Sequence, residues 1–290
     1  MSILNDFAEA ISRYEQSKGI PAGYRVDGRE PYRFYMSNEA WSVMKDGMTE
    51  EARAQFEAGG GGELNGEPPK MAAFHSSSRM VYLLSKDWPG FVFEKKLPTI
   101  VGGITNLDGY VERPGRVFFV EAKCRELYGH KSPEPVSNRY LEVYRYLSEK
   151  MPETFGYHAD DRGDGYSSVT FYRHQQAVEG FDLKQMICHL LAVAASRLQE
   201  EQIHQKAYFL YVIYDPSALP LKPETREQIC SIHARTVADA KGFNIEEMFG
   251  HIVDYLVHSK KLEVRADVDT VKAEFRFLYC SHVGYSILPI

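Results

Sequence analysis

Phe91-Val92-Phe93-Glu94-Lys95-Lys96-Leu97, Asn106-Leu107-Asp108-Gly109-Tyr110 and Val117-Phe118-Phe119-Val120-Glu121-Ala122-Lys123 are three runs of strand length within one short stretch. They are broken at Pro98, at Gly102-Gly103 and at Pro114-Gly115, a spacing that favours an antiparallel meander. Side chains alternate along a strand, so in the third run Val117, Phe119, Glu121 and Lys123 share one face and Phe118, Val120 and Ala122 the other. A carboxylate and an ammonium therefore lie side by side on a strand apolar enough to be central. Burying either one unpaired is costly, so a partner, a metal ion or a wet cleft is expected there.

Upstream of the meander, Ser76 or Ser77 can cap a helix reaching about Lys86, with Met80, Val81, Leu83 and Leu84 as its buried side. Further back, residues 3–18 carry Ile3, Leu4, Phe7, Ile11 and Tyr14 at helical spacing and stop at Gly19. One or two helices are expected between Ser37 and Ala58, with Thr49 as an N-cap. Gly59-Gly60-Gly61-Gly62, followed by Pro68-Pro69, reads as a mobile joint between an N-terminal helical arm and the rest.

Downstream, residues 125–180 read as an insertion rich in Tyr, Pro and charge, with one helix near Asn138–Lys150 and a solvated turn at Asp160–Gly165. The turn aspartates lack the closing Glu of a calcium loop. The segment over 182–199 places Leu183, Met186, Ile187, Leu190, Leu191, Ala194 and Leu198 on one helical stripe. Tyr208-Phe209-Leu210-Tyr211-Val212-Ile213-Tyr214 reads as a strand buried on both faces. Helices near Pro223–Lys241 and Ile245–Ser259 and strands at Lys261–Arg265 and Glu274–Cys280 complete the chain. The organisation expected is an arm over 1–70, a core over 71–220 and a helix and strand extension over 221–290.

A chain of 290 residues, 44% hydrophobic and 26% charged, has the make-up of a globular protein. It lacks an apolar run of membrane-spanning length and its N-terminus lacks the build of a signal peptide, so a cytoplasmic protein is expected. Cys124, Cys188, Cys230 and Cys280 are scattered and suggest reduced thiols without a zinc site. A formal net charge of -6 provides no general nucleic-acid footprint, although a local basic groove would suffice.

Asp108 in the second run, with Glu121-Ala122-Lys123 in the third, resembles the PD-(D/E)XK nuclease superfamily. The resemblance covers roughly residues 72–215. Leu107 stands where the superfamily's pattern has proline, and the short motif alone occurs by chance in many proteins. The resemblance implies a restriction endonuclease-like fold, a mixed central α/β sheet flanked by helices, and an endonuclease that hydrolyses phosphodiesters of DNA with Mg2+, or Mn2+ in its place. Asp108, Glu121 and the carbonyl of Ala122 would be the metal ligands, and Lys123 would orient the attacking water or neutralise developing charge. Restriction, defence or DNA processing is the implied setting, with the insertion and tail providing target contacts and a homodimer interface.

Gln185 and His189 lie four apart and resemble the Gln-x-x-x-Tyr signature of RecB-type nucleases, with His in place of Tyr. Gln185 would then be a further catalytic residue. It equally satisfies a capping box with Asp182. Glu94 and Glu63 are further acids that either join the cleft or stay in solvent. The insertion's Arg125, Lys131, Arg139, Arg145 and Lys150, interleaved with tyrosines, could grip phosphates or form a mixed-charge surface with the neighbouring glutamates. The alternative to catalysis is an inactive nucleic-acid-binding or partner-binding protein on the same scaffold.

Overall fold

The computed structural model describes residues 38–73, 76–124, 133–178, 180–201, 205–215 and 219–280, with scattered positions before and between them. Its centre is a five-stranded mixed sheet in the order β11-β10-β5-β4-β3. The three runs quoted above are β3 (Val92–Thr99), β4 (Gly103–Arg113) and β5 (Arg116–Lys123), and they pair antiparallel as a meander. β10 (Lys206–Tyr214) lies parallel to β5, placing Tyr211 beside Glu121 and Ile213 beside Lys123. β11 (Ala273–Cys280) lies parallel to β10, so the C-terminal segment completes the sheet.

Helices cover both faces. On one side lie α1 (Asn38–Asp46), α2 (Glu50–Ala58) and α3 (Ser77–Ser85), packed on Phe93, Val111, Val120 and Val212. On the other lie α4 (Leu141–Lys150), α5 (Leu183–Leu198) and α7 (Ile245–Ser259), packed on Leu107, Val117, Phe119 and Phe209. α6 (Pro223–Gly242) precedes α7 and begins with proline, whose missing N–H costs nothing in a first turn. Side chains place the other starts: Thr49 Oγ1 accepts from Ala52 N, Ser76 Oγ from Arg79 N and Asp182 Oδ1 from Gln185 N. Among the described residues no helix is long and apolar enough to cross a membrane, and all four cysteines are free thiols.

Two expectations change. The stretch Lys261–Arg265 is not a strand: its alternating Leu262 and Val264 pack on the core, while Arg265 N and Ala266 N donate to Leu198 O. The insertion holds more than a helix and a turn, because β6 (Glu134–Ser137), β7 (Gly156–Asp161), β8 (Tyr166–Arg173) and the short β9 (Gln176–Ala177) form a second, antiparallel sheet. The Gly59–Gly62 run, expected as a joint, packs beside the sheet. Lys96 Nζ donates to Ala58 O, Lys70 Nζ donates to Gly61 O, and the run lies against Glu94 and Asn106.

Of the helix expected over 3–18, Asp6, Glu9, Ala10, Arg13, Tyr14 and Ser17 are described and are helical. Ile3, Leu4, Phe7, Ile11 and the stop at Gly19 lie outside the described residues, as do Arg125 and Lys131 of the insertion. A pair of short strands, β1 (Arg25–Val26) and β2 (Phe34–Tyr35), follows that helix.

The meander contains a break that positions its polar residues. Phe93 faces Gly109 and Lys95 faces Leu107, but Glu94 and Asp108 between them are skipped in the ladder. Residues two apart on a regular strand share a face. Here Phe93 and Val111 pack on the α1–α3 side, whereas Leu97 and Leu107 pack on the α5 side, so the strand pair changes faces across Glu94 and Asp108. Glu94 absorbs the change with a left-handed φ of 51°.

Gly109 is required by this packing, since a Cβ there would lie 2.2 Å from Cζ of the buried Phe91 ring. Gly109→Ala should therefore destabilise the fold by about 1–3 kcal/mol, the usual cost of overpacking. Denaturant unfolding would show this as a lower midpoint at an unchanged slope.

Candidate active site

The break brings the sequence-predicted residues together at one end of the meander. With the β4 backbone out of the ladder at Asp108, the carboxylate takes over: Asp108 Oδ2 accepts from Ala122 N at 2.7 Å. Asp108 is thereby fixed beside the Glu121–Lys123 strand. Glu121 is 2% exposed and Lys123 5%, and their side chains pair at 3.0 Å between Oε1 and Nζ.

α5 completes the arrangement from the same sheet face. Lys123 Nζ also donates to Gln185 Oε1 and stands 3.7 Å from Asp182 Oδ2. Asp182 caps the helix through the Gln185 N–H, but the Gln185 side chain turns to Lys123 rather than back to the helix start, so the reciprocal half of the capping box is not made. One turn on, His189 is 1% exposed, with Nε2 3.0 Å from Glu121 Oε2 and Nδ1 2.7 Å from Thr105 Oγ1. His189 and Gln185 thus face the sheet, and neither is a solvent-facing residue of the helix.

Glu94 enters from β3. Ser78 Oγ, on α3, donates to its Oε1 at 3.4 Å, and a Cβ at Gly59 would lie 2.9 Å from its Cγ. The glycine run makes room for Glu94 by having no side chains of its own. Glu63, just past that run, is near enough to act on Glu94 electrostatically.

The electrostatics are those of a site short of positive charge. Burial, then the charge of Glu121, pushes the Asp108 carboxyl well above the usual aspartate range, against the Ala122 N–H and Lys123, which pull it down. Burial, then Glu63, pushes Glu94 up to about 7. Burial also pushes Glu121 up, but Lys123 and His189 outweigh it and hold that carboxyl at about 2. Glu121 is thus the fixed anion; after burial its charge is what Asp108 resists joining, whereas Glu94 resists Glu63 more.

These residues fit a hard divalent cation. Glu121 Oε2 is buried without a hydrogen-bond donor, since His189 Nε2 approaches it out of alignment, so a lone pair remains unused. Among the described residues no three His, Cys, Asp or Glu side chains form a metal cage. Mg2+ does not need one, because it keeps several waters and binds through one or two carboxylates. Asp108 and Glu121 would supply those oxygens.

Thr105 and Ser78 are the polar partners sequence reasoning did not single out. Each is an ordinary hydroxyl in an apolar element, and only the pairing across the fold gives it a role. No family model, no curated protein and no solved structure matches this chain. The case for function therefore rests on the site itself.

Proposed function

We propose that this protein is a Mg2+-dependent endonuclease that hydrolyses phosphodiesters of DNA, on a restriction endonuclease-like fold. The observation that carries the reading is the convergence of Asp108, Glu121 and Lys123 at the break in the meander, with one carboxylate oxygen of Glu121 left without a donor. The order of elements adds support: helix α3, the meander β3-β4-β5, helix α5 and a strand parallel to β5 follow the arrangement that the resemblance implies.

Asp108 and Glu121, with the Ala122 carbonyl, would hold the cation, which supplies Lewis-acid polarisation of the phosphate and activation of water. Lys123 Nζ, held by Glu121, Gln185 and Asp182, is a fixed donor for the attacking water or for charge growing on phosphate oxygens. Gln185 keeps that ammonium from collapsing wholly onto Glu121. Asp108, Glu94, Asp182 and Gln185 are less enclosed than Glu121 and Lys123.

A second reading is favoured by the burial of Glu121 and Lys123. A pair this enclosed can be a structural ion network in a protein that only binds nucleic acid or a partner. Incubating the protein with supercoiled plasmid in Mg2+, Mn2+ or EDTA separates the two. Cleavage in Mg2+ or Mn2+ that EDTA abolishes is the expected result, and metal-independent DNA binding without cleavage would favour the second reading.

A further inference from the structure

The proposed function gives His189 no direct part, yet it is among the most enclosed polar side chains in the molecule. Its ring bridges two strands. Nδ1 meets Thr105 Oγ1 on β4 at 2.7 Å, and Nε2 meets Glu121 Oε2 on β5 at 3.0 Å. Thr105 sits three residues before Asp108 on the same strand, so the bridge ties together the strands that carry the two acids. With the threonine hydroxyl donating to Nδ1, the ring proton would sit on Nε2, 3.0 Å from Glu121 Oε2 but not aligned as a hydrogen bond to it.

α5 thereby presents one partner to each member of the Glu121–Lys123 pair, Gln185 to Lys123 and, one turn later, His189 to Glu121. The imidazole is packed against Phe209 with ring centroids 6.1 Å apart, which limits its rotation.

Resting on the nuclease reading, we infer that Thr105 and His189 form a brace that sets the orientation of the Glu121 carboxylate toward a divalent cation. His189 is a positioning residue and touches no substrate. An imidazole placed only to fill the core would be replaceable without effect on the cation. A brace would not be, because outer-shell partners that orient a ligating group usually account for 10–100-fold in metal affinity.

The test is Mn2+ affinity, read by electron paramagnetic resonance on the full chain at one pH, with thermal melts in EDTA to follow the fold. His189→Ala should weaken Mn2+ binding by roughly 10–100-fold, and His189→Gln, which restores a donor facing Glu121, should recover most of that loss. Thr105→Val, nearly isosteric but without the hydroxyl, should weaken binding in the same direction, and Thr105→Ser should restore it. If His189→Ala does not fold, the Thr105 pair carries the comparison. Unchanged Mn2+ affinity in folded His189→Ala, or in Thr105→Val, overturns the brace while leaving the nuclease reading intact. Wild-type protein that binds no Mn2+ overturns the nuclease reading, and the brace with it.

Discussion

Lys123→Ala should lose plasmid cleavage by about 10²–10⁴-fold, the range usually contributed by one positioned proton donor or acceptor, while still binding Mn2+. The metal-binding half follows from geometry. Asp108 is held by the Ala122 N–H and Glu121 is flanked by His189, so neither acid needs Lys123 to stay in place. Stability responds separately. Removing one partner of a buried ion pair leaves an uncompensated charge, which costs about 3–5 kcal/mol. Against a total stability of about 5–15 kcal/mol, the melting temperature in EDTA should drop visibly.

Mn2+ should then restore much of that drop, since the cation supplies the positive charge that Glu121 has lost. The combination is diagnostic. A protein that uses the pair only as a structural ion network would be destabilised without metal rescue, and its DNA binding would survive. Activity within a few-fold of wild type in folded Lys123→Ala would remove Lys123 from the mechanism.

The meander and the helix over α5 were legible because apolar periodicity was nearly uninterrupted there, and the charges interrupting it pointed to the site. Glu121 and Lys123 stand out this way, whereas Asp108 and Gln185 stand out only through the resemblance, and the four come together in the fold. The second sheet was not legible. β7 is partly or fully exposed along its whole length, so its residues, among them His158, Asp160 and Asp161, carry no alternation to read. Lys261–Arg265 failed in the opposite direction, since its alternation reflects packing on the core without a strand partner.

The setting of the glycine run is not legible for a third reason. Local composition reports backbone freedom, and nothing local reveals that Glu94 lies against Gly59 and Asn106 against Gly60. The pairing of Thr105 with His189, separated by 84 residues in sequence, belongs to the same class. Polar partners contributed by distant elements leave no periodic trace, whereas the carboxylate and ammonium on a central strand announce that some partner must exist.

Asp108→Asn should separate stability from activity in opposite directions. The charge of Asp108 is resisted by burial and by Glu121, so its carboxyl titrates well above its unfolded value. For such a group the sign is definite. Its contribution favours the fold fully below the unfolded aspartate range near 4 and is lost as pH rises through the higher folded value. Glu94 behaves alike, with its loss running from about 4.5 to about 7. Glu121, held at about 2, works the other way: its stabilisation builds as pH rises through the unfolded glutamate range, and it adds no slope once the unfolded form is ionised as well.

Asparagine keeps an oxygen to accept from Ala122 N but cannot ionise. In EDTA the variant should therefore melt close to wild type near pH 4 and increasingly above it toward pH 8. For a chain of this size each kcal/mol relieved corresponds to roughly 2–4 °C. Mn2+ should invert the order. It screens the acids of the wild type, flattening the pH slope and raising the melting temperature, but finds one carboxylate fewer in Asp108→Asn and stabilises it far less. Cleavage should fall by at least about 10³-fold, as expected when a charge-stabilising group in a preorganised site is lost. A variant destabilised at pH 8 in EDTA would mean that Asp108 is a structural anion already neutralised within the fold, with no charge left to offer a cation.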